Sequence, residues 1–236
     1  MIIILNLFNK SSFVILFLIG SSISIDFSFP SALTLTNGNI LIIEELGIYI
    51  FNPTNNDIRE EYRFPEEDKI KNKQDLSRVI LKRSQGYIFG LINYKIFIFN
   101  GEGERLVTTT QKFTDQNPQH FTLTPIVHSG NIYPFIIAFF DSNTYLNLTS
   151  YYYEISSKTI FIIGRKIEYT YLYYDYGYKT YYFENRGLTC EYMIYTSMGS
   201  YYFKLICFFV VSYNSKYYLM VGFYEINSDL SISSFI

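Results

Sequence analysis

The 236-residue chain contains no tryptophan, only two alanines, two histidines and two cysteines, and just 17% of its residues are charged. Each scarcity excludes something. With so little alanine, a helix-built protein is not expected. No Cys-x-x-Cys or His-x-x-x-His spacing occurs, and two histidines cannot by themselves complete a zinc cage, so no metal or cofactor site is expected. The formal net charge of −2 gives no basic field for nucleic acid or anionic lipid and no acidic tail. Intrinsic disorder is excluded as well, because 49% of the residues are hydrophobic. What fills the chain instead is 25 Tyr, 22 Phe and 33 Ile, the bulky residues of pleated strands.

Apolar runs long enough to span a membrane as a helix are also missing after the amino terminus. There Lys10 precedes the run Phe13 to Ile19, and Gly20, Ser21 and Ser22 follow it. A cation, a short apolar run and small residues read as a secretory signal cut after Ser22 or Ser24, leaving residues 25–236 as the β-repeat domain. The competing readings are a membrane anchor from Ile2 to Ile19 and a buried first strand. Asn6, Asn9 and Lys10 interrupt the anchor, since a span needs about 20 mostly apolar residues. The membrane is a partner only if this segment stays uncleaved. The expected location is secreted or cell-surface.

Short strands separated by turn residues recur from Ser31 onward. The first set runs through Asn37-Gly38 to Asn52, and the second from Arg78 through Ser84 to Gly86 and on to Asn100. Shifted by 48 positions they superpose Gly38 on Gly86, Ile40 on Ile88, Ile48 on Ile96, Phe51 on Phe99 and Asn52 on Asn100. Looser sets follow from His120 and from Gly187, with 159–184 read as a linking stretch. Four strands per roughly 40 to 50 residues is the period of a propeller blade. The expected fold is all-β, an array of about four antiparallel blades, with a β-sandwich as the alternative. Runs such as Ile160 to Gly164 are apolar at consecutive positions, as in strands covered on both faces. Residues 66–75, rich in alternating charge, read as a solvated loop.

If Thr196 to Tyr201 is a tight turn, antiparallel pairing opposes residues whose numbers sum to 397, and Cys190 and Cys207 satisfy that sum. Opposed Cα atoms fall within disulfide reach, so a cross-strand disulfide is expected, with two buried thiols as the alternative. Asn147-Leu148-Thr149 is a glycosylation acceptor pattern, usable only if Asn147 faces outward. Asn52-Pro53-Thr54 is excluded by its proline.

No catalytic set emerges. His128 sits in a turn beside Ser129, and Gly-x-Ser-x-Gly is absent. Gly101-Glu102-Gly103 lies between strands, with no helix start to hold phosphate. Asp26, Asp141, Asp175 and Glu184 are the candidates for a glycosidase pair, which needs carboxyls roughly 5 to 9.5 Å apart. Between Tyr169 and Tyr182 there are eight tyrosines in fourteen residues, and Tyr171, Tyr173, Tyr174, Tyr176 and Tyr178 form a possible binding surface for sugars or proteins. The bland reading is that tyrosine merely replaces other large strand residues here. Cations are too sparse among them for a nucleic-acid platform.

The strand–turn–strand pattern of Leu33 to Asn52 and Gly86 to Asn100 resembles the β-propeller repeat proteins. It lacks their Trp-Asp and paired-glycine signatures, so no residue inherits a role. The resemblance implies a scaffold whose loops bind an unknown protein or glycan. The expected function is a secreted or cell-surface, non-catalytic module of that kind. The alternatives are a secreted propeller-type glycoside hydrolase and a partial product of a longer repeat protein.

Overall fold

The structure is a computed structural model that describes residues 31–70, 79–114, 118, 120–128, 130–140, 145–169, 171–174, 177–180, 187–197, 200–213 and 216–234. It is all-β. Four four-stranded antiparallel sheets follow one another along the chain, each an up-and-down meander that keeps its strands in sequence order. A sandwich would exchange strands between sheets, and none is exchanged here.

Blade I consists of β1 (Ser31–Thr34), β2 (Ile40–Glu44), β3 (Gly47–Asn52) and β4 (Asp57–Arg63). Blade II consists of β5 (Ile80–Ser84), β6 (Tyr87–Ile92), β7 (Lys95–Asn100) and β8 (Arg105–Thr108). The 48-residue repeat is real at the level of register, because Ile40 pairs with Phe51 as Ile88 pairs with Phe99. Blade III is β9 (Phe121–Pro125), β10 (Ile132–Phe140), β11 (Tyr145–Glu154) and β12 (Thr159–Tyr169). The start of the expected linking stretch is therefore a blade strand. Only β13 (Tyr171–Tyr174) and β14 (Gly177–Thr180) stand apart, as a two-stranded hairpin. Blade IV is β15 (Leu188–Ser197), β16 (Ser200–Tyr213), β17 (Lys216–Ile226) and the short β18 (Ile232–Ser234).

The third hairpin of every blade closes in a related way. The last residue of each loop has positive φ: Asn56 at 56°, Gly103 at 89°, Lys158 at 51° and Leu230 at 65°. Blades I, II and IV add an asparagine that organises the loop, and in blade I Asn52 Oδ1 accepts from the Thr54 amide. Asn100 Oδ1 accepts from the amides of Glu102 and Glu104, and Asn227 Nδ2 donates to Ser231 Oγ. A left-handed residue after a short turn is what lets a three- or four-residue loop return the chain in register.

The chain divides into two compact units, Met1–Ser77 and Arg78–Ile236. In the first, Leu41, Ile43, Ile48 and Ile50 are buried. Of the expected solvated loop, residues 71–75 lie outside the described residues, and residues 66–70 are anchored to the blade with Glu66 and Glu67 exposed. Phe64 and Ile70 are buried, and their amides donate to Leu46 O and Glu45 O, because two apolar anchors hold the intervening acidic turn Glu66–Asp68 against the blade.

In the second unit the blades bury one another. Phe89, Leu91, Ile96 and Ile98 of blade II meet Phe121, Leu123, Phe135 and Ile137 of blade III. Blade III turns Ile136, Ala138, Leu146 and Leu148 the other way, against Leu188, Leu205, Phe209 and Tyr224 of blade IV. The alternation along β10 divides adjacent residues between two cores. β9 lies beside both β5 and β15, so the first strands of the three blades gather together, as in a propeller. Thr124 Oγ1 donates to Cys190 O at 2.7 Å there, and Lys82 Nζ lies 3.0 Å from Glu191 Oε1.

Cys190 and Cys207 pair directly, their sulfurs 2.06 Å apart, on the face of blade IV that looks into this core. The loop they close spans 17 residues, and a loop near that size constrains the unfolded chain by about 3 kcal/mol. Protein recovered from an oxidising route is expected to take up no alkylating label until it is denatured and reduced, when it takes up two. The double variant Cys190→Ala, Cys207→Ala is expected to lose about 3 kcal/mol in urea unfolding. Two thiols labelled before reduction speak against the bond.

Candidate functional site

Between the outer strands of blades II and III lies a groove of about 410 Å³. That volume is within the range of small-ligand sites. One wall is the segment following β8. Its course is fixed by Thr109, which exchanges two hydrogen bonds with the backbone of Ile96, and by Phe113, whose amide donates to Tyr94 O at 2.9 Å. The opposite wall is the loop end and start of β12, from Lys158 to Ile162. Tyr151 on β11 lies between them.

The apolar lining is Phe113 and Tyr151 with Ile96, Val107, Ile160 and Ile162, and the two aromatic rings rest on others behind them. Phe113 sits 5.7 Å from Phe121 and 5.4 Å from Phe139, and Tyr151 stacks on Phe135 at 5.3 Å. The polar residues of the lining are Thr108, Thr109, Thr110, Gln111, Lys112, Lys158 and Thr159. Lys112 also lies over the Tyr94 ring at 5.6 Å. No carboxylate is among the lining residues described. An apolar lining that also carries such polar residues is equipped to hold a polar ligand.

Burial pushes the Tyr151 hydroxyl up to about 12, against the opposing pulls of Arg165 and of a hydrogen bond to Thr149. It therefore stays protonated under all ordinary conditions. The Tyr87 and Tyr153 hydroxyls are also raised, chiefly by burial, in a cluster where the Tyr87 and Tyr133 rings are 4.4 Å apart.

The sequence-predicted positions distribute as follows. Asn147 is fully buried on β11, where its Oδ1 accepts from Arg165 Nε at 2.9 Å. Its Nδ2, the atom a glycan would be attached to, is buried without a hydrogen-bond partner. The outward face that glycosylation at Asn147 requires is thus not available, because alternation turns this residue away from Leu146 and Leu148 to the other covered face of the blade, where it is paired with Phe139. Tyr171, Tyr173, Tyr174 and Tyr178 fall on the β13–β14 hairpin, with Tyr173 directly opposite Tyr178. Tyr176 lies outside the described residues, as do Asp26, Asp141, Asp175 and Glu184. Gly103 occupies a hairpin turn as expected, and the His128 amide donates to Gln85 Oε1 at 3.2 Å. Among the described residues no group of three or more His, Cys, Asp or Glu could hold a metal ion. None of their helices is long and apolar enough to cross a membrane. Sequence reasoning missed the groove. Its only signal is the polar run Thr108 to Lys112 directly after a strand.

No family model matches this chain, and no curated protein matches it. Among solved structures it is similar to a chain in the crystal structure of S. cerevisiae core factor. That match has a TM-score of 0.47 and 12% identity, over 83% of this chain and 30% of that one. It is also similar to a chain in the complex of the fission yeast SREBP-SCAP binding domains, with a TM-score of 0.43 and 9% identity, over 85% of this chain and 50% of that one. This chain thus spans half or less of the length of either. Neither likeness bears on function.

A tyrosine whose folded pKa is raised contributes no penalty below its unfolded value, and stability is lost as pH rises through the folded value. Relative to Tyr151→Phe, the native chain is expected to lose stability between about pH 10 and 12, by on the order of 3 kcal/mol at the upper end. Urea unfolding of both proteins across that range is the measurement. Parallel curves mean that Tyr151 ionises normally.

Proposed function

We propose that this protein is a secreted or cell-surface binding module, without a catalytic role, whose ligand is a protein or a glycan. The observation that carries the reading is the groove between blades II and III, whose lining combines Phe113, Tyr151 and aliphatic side chains with threonine, glutamine and lysine residues. A saccharide stacks its apolar face on such rings and bonds its hydroxyls to such polar residues. A protein loop uses the same groups through its backbone. The Cys190–Cys207 bond is compatible with an oxidising extracellular setting, and the signal-like residues 1–24 support the same location.

The test has two arms. Expressed in eukaryotic cells, the full chain is expected in the medium with a new amino terminus following Ser22 or Ser24. On panels of immobilised oligosaccharides and cell-surface proteins, Lys158→Glu and Thr110→Val are each expected to weaken the captured ligand by about tenfold, which is the size of one lost polar contact. Retention in the cytosol with reduced cysteines contradicts the location. Binding that ignores both substitutions contradicts the groove.

A further inference from the structure

Blade IV departs from the rule that its neighbour obeys. Blade III is covered on both faces, whereas among the described residues blade IV buries the face carrying Cys190, Leu205, Cys207, Phe209 and Tyr224. On its other face Leu219 is 69% exposed, Tyr217 49%, Phe223 43%, Met193 42%, Val221 40% and Phe208 39%. These residues are neighbours. Phe208 pairs with Val221, and the next same-face pair along the ladder is Ile206 with Phe223.

The sequence of these strands is written for two covered faces. Ile206 to Val211 is apolar at every position, as is Leu219 to Val221, and continuous apolar runs belong to strands buried on both sides. The exposed patch is on the order of 600 Å², taking each bulky side chain at about 200 Å². That is the upper end of what a monomer leaves open. It also approaches the roughly 800 Å² that each partner contributes to a standard interface.

We propose that this face is the interface of a two-fold symmetric homodimer, in which β16 and β17 of one copy pack face to face on the same strands of a second. A broad sheet surface with no groove is complemented by another sheet, stacked about 10 Å away at a small angle. The charges at its edge fit a second copy. Lys204 and Glu225 are directly paired on this face, so a two-fold axis lays an edge of mixed sign onto itself. A nucleic acid or an anionic lipid surface selects one sign instead. Tyr, Phe and Met, which supply much of the patch, are enriched at the centres of protein interfaces. The proposal is independent of the ligand groove, which lies between the other two blades of the unit.

The experiment is light scattering on the full chain during size-exclusion chromatography at micromolar concentration. The wild type is expected at twice the mass of the same chain measured under denaturing conditions, falling toward one chain on dilution. Leu219→Lys and Val221→Lys, both at exposed positions, are each expected to run as single chains with an unchanged circular dichroism spectrum. Leu219→Met is expected to remain dimeric. A wild type of single-chain mass overturns the proposal without recourse to any variant. So do a dimer that survives both lysine substitutions, and an open-ended series of larger assemblies, which signals a head-to-tail contact.

Discussion

A sheet whose strands are apolar at consecutive positions must be covered twice, and most of what the second unit does follows from that constraint. A sheet half-covered by polar residues can stand against solvent, but strands such as Phe135 to Phe139 cannot. Their alternating side chains enter two different cores. Burial at roughly 25 cal/mol per Å² of apolar surface makes each such face worth many times a single hydrogen bond. The polar links between blades, Thr124 to Cys190 and Lys82 to Glu191, fix alignment rather than supply the driving force. Indeed the Lys82–Glu191 pair is substantially exposed, and such pairs contribute little. The disulfide acts on the same arrangement from inside, tying β15 to β16 on the covered face of blade IV.

Much of this was legible because strand sequences carry their own geometry. The 48-residue repeat was readable from isoleucine and phenylalanine positions, since residues on matching register points meet the same surroundings. The pairing of Cys190 with Cys207 followed from the centre of one turn, and the whole β15–β16 ladder keeps that register. Other features were hidden for physical reasons. β12 opens with the apolar run Ile160 to Gly164, which suggests cover on both faces, and then mixes in Arg165, Lys166 and Glu168; it is the outer strand of blade III, with Phe161 and Ile162 exposed. β18 is three residues long and carries no pattern. The turn that closes each third hairpin repeats in conformation but not in letters, because Asn, Gly, Lys and Leu all fill the left-handed position. Period-two alternation could not say which face Asn147 takes, and burial settled it.

The groove illustrates why a binding site is harder to read than a core. Its residues come from the end of one blade and the third hairpin of the next, and they share no periodicity. Only the meeting of two outer strands brings Thr110 and Lys112 opposite Lys158 and Thr159. The β13–β14 hairpin, carrying Tyr173 opposite Tyr178, is the other departure from the blade pattern and interrupts the succession between blades III and IV.

If mutual covering of sheets is what holds the second unit together, protection from exchange should follow coverage rather than strand length. Native-state hydrogen exchange read by mass spectrometry on the full chain measures this directly. Measured on the single-chain Leu219→Lys variant, the account predicts the slowest exchange in β10 and β11 of doubly covered blade III, and faster exchange in β17 and β18 despite the eleven-residue length of β17. Slower exchange in β17 than in β10, or uniform protection across blades III and IV, would contradict it.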